Sequence, residues 1–247
     1  MKKKFVIVEH NNDKFTFEAI LRYISSINTE VNSAEIWYEP RGADSSIDLP
    51  TGLKESLISA FKEIRKGKYD TIAVIWDLDN FTISERLLQV NNAFDLAINE
   101  FKVDYFDLTI KRKKIEIVSD FFNLSFDNSN IQIACYFVNY QGKGEIEDIL
   151  KAIKSPNKSS LIADCVDSKL PECLAENEQS SLREKDLVKL WINHYVRYDT
   201  LKKNERKDEN TKWENVMLNR SNIFDFDNES ISEFVELKNF LRKVAQI

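Results

Sequence analysis

Three acidic side chains stand where an α/β fold concentrates its chemistry. Glu9 follows the apolar run Phe5 to Val8, Asp77 follows the run Thr71 to Trp76, and Asp79 comes two residues later. Ligands of open parallel sheets bind outside the carboxyl ends of the strands. In extended chain, residues two apart project to the same side, so Asp77 and Asp79 can share a site. Carboxylates gathered in this way repel one another, and a divalent cation relieves the repulsion. Mg²⁺ suits oxygen ligands of this kind, with Mn²⁺ as the alternative. Such a site supports phosphoryl transfer by stabilising charge on the attacking and leaving oxygens. The triplet alone is a weak signal. Aspartates are common in loops and at helix starts, and Asp79-Asn80 ahead of a helical segment also suits capping.

The elements that must position these groups alternate in type. Phe5–Val8 is a continuous apolar run, as a strand buried on both faces requires. Phe15, Ala19, Ile20, Tyr23, Ile24 and Ile27 then recur at helical spacing, with Asn12 or Asp13 placed to cap. Ala34–Tyr38 reads as a second strand and Pro40–Pro50 as a loop. Leu53, Leu57, Ile58, Phe61 and Ile64 mark a second helix that stops near Gly67. The β-branched run Thr71–Trp76 is the most strand-like in the chain, and a helix from about Ser84 to Phe101 follows.

This β-α-β-α-β-α order predicts an α/β fold with a mostly parallel sheet flanked by helices. Tyr105–Val118 reads as a hairpin with a basic tip at Lys111–Lys114, and Ile131–Val138 as another strand. A short helix, Glu145–Ile153, follows Gly142 and Gly144. From about Ser159 the pattern is helical, most clearly over Leu182–Val196 and Ile231–Val244. Leu201–Arg220 is polar and charged. The division is an α/β core over residues 1–155 and a C-terminal helical extension, residues 156–247, packed on it.

Bulk properties bound the function. The 247 residues are 43% hydrophobic and 31% charged, with 5 Gly and 4 Pro, an ordered globular composition. A formal charge of −6 counts against an autonomous nucleic-acid-binding module, which is usually basic. It leaves room for an enzyme whose metal ions offset its own carboxylates. Cys135, Cys165 and Cys173 form no CxxC pair, which argues against structural zinc. With no signal-like or membrane-spanning segment, the expected location is the reducing cytoplasm.

The order of four short motifs sharpens this reading. Phe5-Val-Ile-Val-Glu-His-Asn-Asn-Asp13 resembles the opening of a Toprim domain, and Ala73-Val-Ile-Trp-Asp-Leu-Asp79 resembles its Asp-x-Asp strand. Gly144-Glu-Ile-Glu-Asp-Ile-Leu150 resembles the Gly-x-x-Glu-Asp helix start of Toprim-like proteins related to the OLD (overcoming lysogenization defect) nucleases. Ile223-Phe-Asp-Phe-Asp227 ahead of a final amphipathic helix resembles a group of small uncharacterised Toprim-like proteins. The resemblance implies a metal-ligand or acid/base role for Glu9, metal ligation by Asp13, Asp77 and Asp79, and a second metal position at Glu147 and Asp148. It also implies a downstream basic catalytic residue, for which Lys185 and Lys189 are candidates.

The implied activity is a Mg²⁺-dependent nuclease or related phosphoryl-transfer enzyme acting on DNA or RNA. Relatives often work beside an ABC- or AAA-type ATPase in anti-phage defence. No Gly-x-x-x-x-Gly-Lys-Ser/Thr motif occurs, so any such ATPase is a separate partner. One departure is His10, where the family has glycine. It keeps open the alternative of a non-catalytic Toprim-like module that binds a partner protein or a nucleotide. Trp76-Asp-Leu-Asp-Asn80 also resembles the first motif of haloacid-dehalogenase phosphatases and the opening of NYN/PIN-like ribonucleases. Both leave Glu9 and Glu147 without a role.

His194 within a helical run, Trp213 within a polar stretch and Cys135 within an apolar strand read as structural. His194 would pack a helix, Trp213 would anchor its segment, and Cys135 would fill the core.

Overall fold

The computed structural model describes residues 3–27, 36–40, 49–127, 129–142, 144–177, 182–207, 211–219 and 222–246. Ala34 and Glu35, where the second strand is expected to begin, lie outside the described residues. So do positions 41–48 of the expected loop and positions 208–210 and 220 of the polar stretch.

Six described strands form one open sheet in the order β2-β1-β3-β6-β5-β4. They are β1 (Lys3–Val8), β2 (Ile36–Pro40), β3 (Tyr69–Asp77), β4 (Ile110–Arg112), β5 (Phe122–Phe126) and β6 (Ser129–Val138). β2, β1, β3 and β6 run parallel, while β5 and β4 extend the sheet antiparallel beyond β6. The helices are α1 (Asn11–Ile27), α2 (Leu49–Arg65), α3 (Ile83–Asp104), α4 (Ile146–Ala152) and α5 (Leu161–Glu176). They continue with α6 (Glu184–His194), α7 (Trp213–Asn219) and α8 (Ser232–Ala245). Among the described residues no helix is long and apolar enough to cross a membrane.

The continuous apolar strands are explained by cover on both faces. Val6, Val8, Ala73, Ile75, Ala134, Tyr136 and Val138 belong to one buried cluster, with α1, α4, α6, α7 and α8. The alternate residues Phe5, Ile7, Ile72, Val74, Trp76, Ile133, Cys135 and Phe137 belong to a second, with α2 and α3. The helices after residue 156 therefore share a hydrophobic cluster with the sheet. Burial pushes the Cys135 thiol up to about 12, so it is an inert core group.

The crossovers create the crevice. The chain moves from β1 outward to β2 through α1, then back across β1 to β3 through α2. Right-handed crossovers in opposite directions place the two helices on opposite faces. The switch point therefore falls between β1 and β3, beyond their carboxyl ends, where Glu9 and Asp77 stand.

The sequence reading needs correction at the far edge of the sheet. Lys111–Lys114 is not a hairpin tip. Lys111 and Arg112 lie in β4 itself, opposite Ser125 and Leu124 of β5. The Arg112 guanidinium is covered, donating to Asp95 Oδ1 at 2.7 Å and to the Asn91 carbonyl at 2.8 Å, and it stacks over Phe94. β5 pairs with β6 instead, Phe126 opposite Ser129. The helix after Asp79 is capped neither by that residue nor by Asn80. Thr82 Oγ1 accepts from the Glu85 N–H, and the Glu85 carboxylate accepts from the Thr82 N–H, a reciprocal capping box.

Leu201–Arg220 contains structure, with α7 held to the first helix. The Trp213 indole donates to the Asn12 carbonyl at 3.1 Å and to Thr16 Oγ1 at 3.0 Å, so the residue anchors its segment. His194 sits against its own helix, its Nδ1 2.8 Å from the Leu190 carbonyl, and packs on Tyr198.

Candidate metal centre

Asp77 is the last residue of β3 and is buried. Its Oδ1 accepts the backbone N–H of Ile146, the first residue of α4, at 3.2 Å. That bond aims the start of α4 at the end of β3. Asp77, Glu145 and Glu147 thereby offer carboxylate oxygens that all lie within 4.8 Å of one another. Such spacing suits oxygen ligands around one hard cation. The electrostatics agree. Burial, then the charges of Asp13, Glu147, Glu9 and Glu145, push the Asp77 carboxyl well above the usual carboxylate range. Burial raises Glu147 as well, against the opposing charge of Lys189.

Asp13 joins this group from the other side of the crevice. It is 6% exposed, and its Oδ2 accepts the His10 N–H at 2.8 Å. As the third residue of α1 it closes the helix start, as Glu85 does for α3. Burial first, then Glu147 and Glu9, push it up to about 8. Glu9, just past β1, is partly covered, and His10 Nε2 lies 3.7 Å from its Oε1. The His10 ring itself is mostly exposed.

Asp79 is not one of these three carboxylates and meets them at Glu145. Its backbone takes a left-handed conformation (φ 51°), which aspartate tolerates better than most residues. Its N–H and C=O pair with Gly144, stitching the end of β3 to the loop before α4. Its carboxylate turns to Arg86, at 2.6 Å. Burial nevertheless outweighs Arg86 and raises the Asp79 carboxyl. The Arg86 side chain is 4% exposed, stacks over Phe81 at 4.2 Å, and lies within electrostatic reach of Glu9 and Asp77.

Asp148 is likewise occupied, its Oδ2 accepting the Glu145 N–H at 2.8 Å to close the start of α4. Gly144 makes this possible. Its φ is +95°, and a Cβ there would lie 2.5 Å from Asp148 Oδ2. Gly144→Ala is expected to cost about 2 kcal/mol, from a strained backbone and a displaced cap. Urea unfolding measures it, and a loss below about 0.5 kcal/mol would show that this turn is not fixed as described.

Two lysines of α6, one turn apart, complete the centre. Lys185 Nζ lies 3.1 Å from Glu145 Oε1 and 3.9 Å from Asp79 Oδ1. Lys189 Nζ lies 2.6 Å from Glu145 Oε2. Burial acts to raise the Glu145 carboxyl, but the two lysines win and hold it below its usual value. Both candidate bases of the sequence reading therefore meet on one carboxylate.

Glu145 and Arg86 are the residues that sequence reading missed. Glu145 passes for a helix-capping residue, although its alternation with Glu147 is a signal. Arg86 looks like one more charge on a solvated helix, and nothing local marks it as buried.

The family model described as "Protein of unknown function (DUF3226)" matches residues 3–246. No curated protein and no solved structure matches the chain. From its first strand to its last helix, the chain belongs to the DUF3226 family.

Proposed function

We propose that this protein is a Mg²⁺- or Mn²⁺-dependent phosphodiester hydrolase with a Toprim-like core. The observation that carries the reading is the convergence of Asp77, Glu145 and Glu147 at the switch point of the sheet, with Asp13 and Glu9 beside them. The residues fit the ion: the donors are hard oxygens, several are buried, and mutual repulsion keeps them from ionising together. The parallel order β2-β1-β3-β6, with Glu after β1 and Asp after β3, supports the Toprim likeness.

In this reading Asp77, Glu145 and Glu147 hold the ion, and Asp13 and Glu9 stand ready as further ligands. The ion, when bound, lowers the pKa of water and neutralises charge on a phosphate. Lys189 and Lys185 do the rest from α6. They orient Glu145 and present ammonium groups to phosphate oxygens on the open side of the cluster. Glu9, just past β1 beside the cluster, is suited to move a proton to or from the reacting oxygen. Asp79 and Arg86 position the loop before α4. A separate ATPase partner, and a role in defence against phage, belong to the same proposal.

The test is hydrolysis of single- and double-stranded DNA and of RNA with Mg²⁺ or Mn²⁺. Activity is expected, and Asp77→Ala is expected to lower it on the order of 100- to 1000-fold. A protein that binds neither metal and cuts no nucleic acid, alone or with its ATPase, would refute the proposal. A second reading, a non-catalytic module for a nucleotide or partner, draws on the neutralisation of Glu145 by two lysines.

A further inference from the structure

A cavity of about 380 Å³ opens beside the acidic cluster, and the proposed chemistry does not use most of it. One wall is a single face of α6 and the π-helical turn that prolongs it, Tyr195–Thr200. Lys189, Ile192, Asn193, Val196 and Arg197 stand there at positions i, i+3, i+4, i+7 and i+8, the spacing of one helical face. Asp13 and Glu147 of the acidic cluster line it too. Trp213 also lines it, held by the two bonds of its indole nitrogen to α1. The cavity thus lies where the C-terminal helices α6 and α7 meet α1 and α4 of the core.

We propose that this cavity binds one nucleotide unit, with its phosphate toward Lys189 and the carboxylates and its base against Trp213 and the apolar wall. The inference deepens the metal-dependent reading, on which its phosphate end rests. The lining carries the chemistry that both halves of a nucleotide require. Two carboxylates shared with the metal cluster suit a metal-bound phosphate. Lys189, at the start of the α6 face, offers phosphate oxygens a charged donor, and Arg197, about two turns on, offers a second cation. Ile192 and Val196 stand between them on that face and, with Trp213, offer an apolar, partly aromatic surface for a flat base. Asn12 and Asn193 carry amides that can both donate to and accept from a base edge. The volume falls in the range of small-molecule sites and fits one nucleotide rather than a strand. A free nucleoside phosphate and the 5′-terminal nucleotide of a strand share this chemistry.

The experiment is calorimetric titration of the full chain, with Mn²⁺ present, using four probes. These are a nucleoside 5′-monophosphate, the bare nucleoside, inorganic phosphate and a 5′-phosphorylated trinucleotide. The monophosphate is expected to bind one-to-one, at least about tenfold more tightly than the nucleoside or phosphate alone. Arg197→Ala removes a cation from the lining, and Asn193→Trp fills the cavity from an exposed position. Each is expected to weaken binding about tenfold or more while Mn²⁺ binding stays as in the parent protein. Tighter binding of the trinucleotide than of the monophosphate assigns the site to strand ends, and the reverse order to free nucleotides. Either result supports the proposal.

Mn²⁺ binding without monophosphate binding would overturn the nucleotide site and leave the metal reading intact. So would equal affinity for phosphate and monophosphate, or indifference to Asn193→Trp. Monophosphate binding with no Mn²⁺ binding would uphold the cavity and refute the metal reading.

Discussion

At about 100 times its dissociation constant, Mn²⁺ is expected to raise the thermal unfolding midpoint by about 5–10 °C. Asp77→Asn is expected to abolish that rise, and to raise the midpoint of the metal-free protein. The two effects have one origin. Asp77 is a buried carboxyl among Asp13, Glu147, Glu9 and Glu145, so its charge is unfavourable until a cation shares the site. An amide of the same shape keeps an oxygen for the Ile146 N–H but offers no charge to a metal. Differential scanning fluorimetry with and without Mn²⁺ reads both. A variant less stable than the parent without metal would mean that Asp77 is a structural acid rather than a strained ligand. An unchanged Mn²⁺ shift in the variant would place the ion elsewhere.

The metal-free protein is also expected to lose stability as pH rises from about 5 to about 8. Burial, with Glu147 and Glu9 nearby, pushes the Asp13 carboxyl up to about 8 from its ordinary 3.8, so the folded chain holds a proton that the unfolded chain has released. Unfolding then releases a proton, and stability falls with pH throughout that window. The stabilisation is complete below about 4 and gone above about 8. Asp77 and Glu147, both raised, act in the same direction. Glu145, held low by its lysines, acts oppositely, and its contribution is lost only as pH falls below the usual carboxylate range. The net loss between pH 5 and 8 is expected to be about 2 kcal/mol or more in urea unfolding. Asp13→Asn should flatten the profile. A stability that rises steadily over this window would show the carboxyls to be ionised in the fold.

Much of this arrangement is legible in the sequence, and the limits are physical. Continuous apolar runs betrayed β1, β3 and β6, because strands buried on both faces have no polar side to disguise them. Their ends then located Glu9 and Asp77. β5 was missed because Phe122-Asn-Leu-Ser-Phe126 is short and half polar, as suits a strand near a sheet edge. β4 was mistaken for a turn because Lys111 and Arg112 look solvated, and only Asp95 and Asn91 of α3 show where the Arg112 charge goes.

Within the site, Asp77 and Asp79 were expected side by side. Spacing of two implies one side only while the chain stays extended, and the left-handed backbone at Asp79 ends that at once. Glu145 meets Lys185, 40 positions on, and Lys189, which no local pattern carries, whereas Arg86 is held by near neighbours, Asp79 and Phe81.

The bond from Ile146 N–H to Asp77 has a consequence for synthesis. Its partners are 69 positions apart in the chain, and three further strands and a long helix are made between them. A nascent chain that has reached only β6 carries Asp13 and Asp77 but neither Glu145 nor Glu147. It cannot assemble the three-carboxylate cluster. Closing a loop of 69 residues also costs chain entropy before the contact repays it. The three-carboxylate cluster is therefore complete only after α4 has been made.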